Sequence, residues 1–275
     1  MPAIDLRKVP IAPGSRVAIF GPPNTLKTTA MLTWPKGKTS YGEGAMVIML
    51  YPGEKGWDTI PRDREDIIPL VWQIEDPTKV SPAQIVREVE QTTWRALAGE
   101  YGKILTFCGD GLHKLYGWYY LQSWLEMTAL FEKSQGDSAA EAARLPAYNR
   151  AHERFSLYVT KLINSSVPWL VCSMWEGRVK DNPDDPAKNA KRHVFPDLPG
   201  QMAKDIVGEF PSGVLYAEVT APDPKGRVQG YWLTKKTGDI WGVGLKVPEE
   251  VALKIPPRIP AHFESLMRAI RGEVG

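Results

Sequence analysis

The stretch Arg16-Val17-Ala18-Ile19-Phe20-Gly21-Pro22-Pro23-Asn24-Thr25-Leu26-Lys27-Thr28-Thr29 decides how the rest of the chain is read. Its first five residues form a short apolar run that predicts a buried strand ending at Gly21. A Gly/Pro/Asn turn follows, and Ala30 to Trp34 reads as a helix stopped by Pro35. Strand, turn, Lys-Thr and helix is an arrangement that holds phosphate groups. Backbone N–H groups of the turn carry positive partial charge, a lysine reaches the outer phosphates, and a hydroxyl ligates their divalent cation. Gly21, Lys27 and Thr28 stand at the spacing G-x-x-x-x-G-K-[ST], with Leu26 where the second glycine is usual. The leucine is expected to be tolerated by holding helical dihedrals already. Gly21 through Thr29, with Pro22, Pro23, Asn24 and Thr25 between, are therefore the candidate nucleotide-binding residues.

Working outward, Ala45 to Tyr51, Ile104 to Cys108 and Trp169 to Ser173 are further apolar runs of strand length. Pro82 to Leu97 carries Ile85, Val86, Val89 and Trp94 on roughly one helical face, and Leu112 to Phe131 and Tyr148 to Asn164 also read as helices. Lys133 to Arg144, with its Ser, Gly and Ala, reads as an excursion from the core. Val214 to Thr220 and Gly230 to Thr234 predict a C-terminal β-hairpin, with short helices over 199–209 and 260–271. Strands alternating with helices predict an α/β fold whose mostly parallel sheet is flanked by helices on both faces.

Composition narrows the partners. Lys plus Arg is 34 and Asp plus Glu is 32, a net charge of +2, which excludes a polybasic tail protein; any nucleic-acid surface must be a local patch. Cys108 and Cys172 both lie in apolar runs, which excludes a disulfide scaffold and a cysteine-based zinc site. No run reaches the roughly 18 apolar residues that span a bilayer. The opening Met-Pro-Ala-Ile-Asp-Leu-Arg lacks the pattern of a signal peptide, so a cytoplasmic protein is expected. The 10 tryptophans suit either base stacking or local core anchoring.

Asp110, flanked by Gly109 and Gly111 at the end of a predicted strand, is the candidate second ligand for Mg²⁺, with Thr28 as the first; a simple turn aspartate is the alternative. Glu54, just past the second strand, either activates the attacking water or is a solvated loop carboxylate beside Lys55. Lys27, Asp110 and Glu54 form the catalytic set. Ser173 and Glu176, after the fourth strand, are candidates for sensing the terminal phosphate.

In their order along the chain, the Gly21–Thr29 loop, Glu54, Asp110 and Ser173-Met174-Trp175-Glu176 resemble the phage-type RecA-like ATPases. These are AAA-domain nucleotide-binding proteins that include single-strand annealing recombinases. Phe195-Pro196-Asp197-Leu198-Pro199-Gly200 and the hairpin after it are similar as well, so the resemblance spans roughly residues 14–246. It implies a RecA-like core over 1–246 with an insertion near 116–147, and a helical extension over 247–275. It further implies ATP and Mg²⁺ as cofactors and single-stranded DNA as a partner. A homo-oligomeric ring or filament, a phage replication or single-strand-binding protein as an associate, and the host cytoplasm as location also follow. By the same resemblance, the segment from Gly177 to His193 is a DNA-binding loop. Its candidates are Arg178, Lys180, Lys188, Lys191 and Arg192, with Trp175 to stack a base. Lys235, Lys236 and Lys246 are candidates for a cation offered to a neighbouring subunit's phosphate. Two function classes follow: a DNA-dependent ATPase, and a helicase-loader-like or regulatory module switched by ATP with little turnover.

Overall fold

The structure, a computed structural model, describes residues 14–74, 76–178, 194–198, 210–237 and 240–273. The central strands are β1 (Arg16–Gly21), β3 (Gly42–Leu50), β4 (Ile67–Val71), β5 (Ile104–Asp110), β6 (Trp169–Arg178) and β8 (Gly213–Val219). They pair in parallel in the spatial order β8-β1-β6-β5-β3-β4. The sheet as a whole is mixed, which corrects the expectation of a mostly parallel one. β9 (Gly230–Leu233) runs antiparallel to β8, and β12 (Arg258–Pro260) antiparallel to β9. β11 (Ile240–Leu245) also pairs antiparallel with β8, and β10 (Lys235–Thr237) with β11. β7 (Val194–Pro196) pairs with the far end of β6 and with β11. The pairings thus run from β6 through β1, β8, β11 and β7 back to β6. β2 (Gly37–Thr39) forms a small antiparallel hairpin with β3.

Both faces of the sheet are covered, as period-two alternation in buried strands requires. Ala18 and Phe20 of β1 join a core with Val47, Phe107 and Leu170 beneath α2 (Pro82–Leu97), α3 (Leu112–Gln135) and α4 (Ala139–Ile163). Val17 and Ile19 face the other core, with Trp34, Ile48 and Val171, under α1 (Lys27–Met31), α5 (Glu249–Lys254) and α6 (Phe263–Ile270). The C-terminal stretch is built into this second layer: β12 extends the sheet and Phe263, Leu266 and Met267 are buried.

Residues 133–144 are not a loop excursion. α3 continues to Gln135, a single 3-10 turn spans Gly136–Ser138, and α4 begins at Ala139. The small residues that suggested a loop are a stripe: Ala139, Ala143, Ala147 and Ala151 recur every fourth position and are all buried. Alanine has the highest helix propensity, and four-residue spacing puts the stripe on one face. The predicted helix over 199–209 lies outside the described residues. Among the described residues, no helix is long and apolar enough to cross a membrane.

Candidate functional site

The carboxyl ends of β1, β3, β5 and β6 meet at a cleft of about 720 Å³, which the loop residues Pro23 to Thr29 line together with Glu54, Asp110, Lys114 and Trp175. Parallel sheets bind ligands beyond the carboxyl ends of their strands, where helix N-termini and loops converge.

Gly21 ends β1 where β8 passes close. A Cβ there would lie 2.4 Å from the Ala217 carbonyl oxygen, so a side chain cannot be admitted without moving backbone. Beyond it the loop departs from ordinary dihedrals twice, at Asn24 (φ 63°) and Leu26 (φ 56°). Leu26 (ψ 24°) is left-handed, not right-handed helical as expected, so it occupies the conformation that a glycine would supply without strain. Its side chain approaches β9, where a Cβ on Gly230 would meet Leu26 Cδ1 at 3.6 Å.

Lys27 is buried and curls back into the loop. Its Nζ donates to the Gly21 carbonyl at 3.0 Å, the Pro22 carbonyl at 2.5 Å and the Thr25 hydroxyl at 3.1 Å. Burial pushes its pKa down to about 8, against the opposing charges of Asp110, Glu54 and Glu176. Thr28 donates from Oγ1 to Asp110 Oδ2 at 2.5 Å, joining residues 82 apart in the chain. Ser173 donates to the other oxygen, Asp110 Oδ1, and accepts from the Gly111 N–H at 3.3 Å. Asp110 lies inside β5 and is buried; burial raises its pKa, while the Ser173 and Thr28 hydrogen bonds oppose the rise.

Glu54 lies in the cleft beside Asp110 and is no solvated loop residue. Its Oε1 accepts from the Lys55 N–H at 3.1 Å and its Oε2 is buried. Burial, and secondarily the Asp110 charge, raise its pKa. Gly111, left-handed at φ 82°, makes room for it: a Cβ there would sit 2.7 Å from Glu54 Oε2.

Ser173 is a positioning residue for Asp110, buried behind it. Glu176 is engaged by the Tyr216 hydroxyl at 2.6 Å. Gly177 and Arg178 belong to β6, which runs five residues past the expected end at Ser173 because β7 pairs with its extension. Lys180, Lys188, Lys191 and Arg192 lie outside the described residues. Lys235 and Lys236 line a separate groove with α5, and Lys246 is exposed where β11 meets Ser212, so this chain does not bring its own copies to the cleft.

Sequence reasoning placed Trp175 on the DNA side and passed over His113 and Lys114. The Trp175 backbone N–H donates to His113 Nδ1 at 3.3 Å, which leaves the ring proton on Nε2. The two rings lie 5.0 Å apart at 32°, and Lys114 Nζ stands 3.9 Å from the Trp175 ring centroid. Burial, helped by the Lys114 and Lys27 charges, pushes the His113 pKa down to about 3, so the imidazole is neutral. A signal was present: a helix starting right after Asp110 puts its first-turn side chains at the same strand end.

Among the described residues, no group of three or more His, Cys, Asp or Glu could hold a metal ion. The donor set at Thr28 and Asp110 does suit Mg²⁺, which keeps several waters and binds through one or two protein oxygens plus substrate phosphates. The chain matches no protein-family model, and no curated protein is significantly similar to it.

Proposed function

We propose that this protein is a RecA-like ATPase that binds Mg·ATP at the Gly21–Thr29 loop and acts on single-stranded DNA in phage recombination or replication. The observation that carries the nucleotide reading is the contact between the Thr28 hydroxyl and Asp110 at the end of the loop that Lys27 closes. Two sequence-distant oxygens meet where a divalent cation on the outer phosphates would be held. The placement of β6 between β1 and β5 supports the RecA-like order.

In this reading, Lys27 exchanges the Gly21 and Pro22 carbonyls for phosphate oxygens. Mg²⁺, when bound, neutralises charge on the transferring group. Thr28 and Asp110 would hold it, and Ser173 fixes the Asp110 rotamer. Glu54 orients the attacking water and takes its proton, for which its raised pKa suits it. Trp175 lies in the cleft and on the same strand as Arg178, so a change at the nucleotide is passed along β6. Assembly into a homo-oligomer, and association with a phage replication or single-strand-binding protein, belong to the same proposal. A second reading, an ATP-switched module with little turnover, is favoured by Leu26 in its strained conformation.

The test is ATP binding and hydrolysis by wild type and Lys27→Ala, each with and without single-stranded DNA. The variant should lose about 100-fold or more in ATP affinity, because a buried charge-assisted contact is removed. A folded variant that retains affinity overturns the reading. Tight binding without turnover in either condition selects the switch module.

A further inference from the structure

Of the lysines that line the cleft, Lys27 and Lys114 are held very differently. Lys27 spends its ammonium donors on the loop's own oxygens. Lys114 enters from the first turn of α3, where its backbone N–H donates to the Gly111 carbonyl at 2.8 Å. Its half-buried stem passes Gly53, and its ammonium rests on the Trp175 ring. Among the described residues, that ammonium makes no hydrogen bond or ion pair.

A cation–π contact leaves an ammonium's donors unspent and is weaker than a charge-assisted hydrogen bond to an anion. Lys114 is a flexible point charge, able to leave the ring for a stronger partner. The surroundings restrict what that partner is. The Lys114 charge favours the ionised carboxylates of Glu54, in the cleft, and Asp197, just past β7. His113, beside it, stays neutral with a buried Nε2 that has no partner among the described residues. An anion bound near Glu54 would therefore meet the unspent ammonium of Lys114, from α3, alongside the exposed Lys55 that also lines the cleft.

We propose that Lys114 binds the terminal phosphate of a nucleoside triphosphate and so makes the cleft discriminate triphosphate from diphosphate. This rests on the reading of the cleft as a phosphate site. Lys27 and the loop grip the phosphates common to both nucleotides; Lys114 reaches the group that only the triphosphate has. In reaching it, the ammonium leaves the Trp175 ring, so the presence of the terminal phosphate is registered on β6.

The experiment is calorimetric titration of the Mg²⁺-loaded full chain with a non-hydrolysable ATP analogue and, separately, with ADP. Wild type, Lys114→Met, Lys114→Arg and Lys27→Ala are compared. Lys114→Met should weaken the triphosphate analogue by about 10- to 100-fold and ADP by less than about 3-fold, while Lys114→Arg keeps most of the preference. Lys27→Ala should weaken both. If Lys114→Met weakens both nucleotides equally, or neither, the proposal is overturned while the phosphate site stands. If wild type binds neither nucleotide, the phosphate site itself falls. Lys114→Gln, judged by the same ratio, replaces Lys114→Met if thermal melting shows the methionine variant to be misfolded.

Discussion

β1 has a basic residue near each end, and the two are used in opposite ways. At the amino end, the Arg16 guanidinium donates to four carbonyls: Ile163 at 3.0 Å, Pro168 at 3.2 Å, Ser165 at 2.8 Å and Val167 at 2.9 Å. Its backbone N–H donates to Ser212 Oγ at 2.8 Å. These bonds tie the end of α4, the turn into β6 and the approach to β8 to one residue. The fork of a guanidinium suits a permanent junction, and it does not deprotonate. At the carboxyl end, Lys27 also donates to carbonyls, but to those of its own loop, with its pKa lowered by burial. The contrast teaches that a cation bonded to carbonyls is either mortar or a poised ligand. What separates them is whether the acceptors come from distant elements or from the cation's own turn.

Three perturbations would break or sharpen this comparison. The largest effect is expected at the amino end. Arg16→Met should lower unfolding free energy by roughly 2–4 kcal/mol in urea titration, since several carbonyls lose a charged donor, with nucleotide affinity little changed. A loss under about 1 kcal/mol would mean that the junction is held by packing alone.

Lys27→Met should instead cost little stability at neutral pH and reveal a pH dependence. Below about pH 8, Lys27 is charged in both states and folding desolvates that charge. Between about 8 and the unfolded value near 10.4, the unfolded chain holds the proton that the folded chain has lost. Stability of wild type relative to Lys27→Met should therefore rise with pH across that window, by about 3 kcal/mol. A pH-independent difference would show that the lysine is not desolvated.

The smallest effect is expected at Leu26→Gly. Relief of a left-handed leucine gains about 1–2 kcal/mol, and loss of its packing over Gly230 costs a similar amount, so the urea midpoint should barely move. A loss above about 2 kcal/mol would show that the β9 contact dominates.

The elements around the cleft were legible because their signals are local. The apolar run of Arg16 to Phe20, the glycine that ends it and the Lys27-Thr28 pair are contiguous, and Asp110 follows an apolar strand directly. α2 was legible over Pro82–Leu97, where Pro starts the helix and the left-handed Gly99 follows its end. The α3–α4 region was misread because an alanine stripe has the composition of a loop when its period is ignored. β6 was read short because its extension is stabilised by pairing with β7, a partner about 20 residues on. The β8–β9 hairpin was legible because both strands and the turn between them are local, whereas the antiparallel additions β10, β11 and β12 were not: pairing direction depends on where a chain returns, not on its composition.

The sequence by itself determined the strand, turn, Lys-Thr and helix pattern of the loop, the buried strands, and the residue types able to meet phosphate and Mg²⁺. These follow from periodicity, spacing and side-chain chemistry over a few residues. Only the tertiary structure decided that Leu26 is left-handed, that Ser173 serves Asp110, that Glu54 is partly buried and that Lys114 rests on Trp175 in the cleft. Each of these depends on which strands lie side by side. Burial and hydrogen bonding between residues 60 or more apart are properties of that neighbourhood, and no short window of sequence contains it.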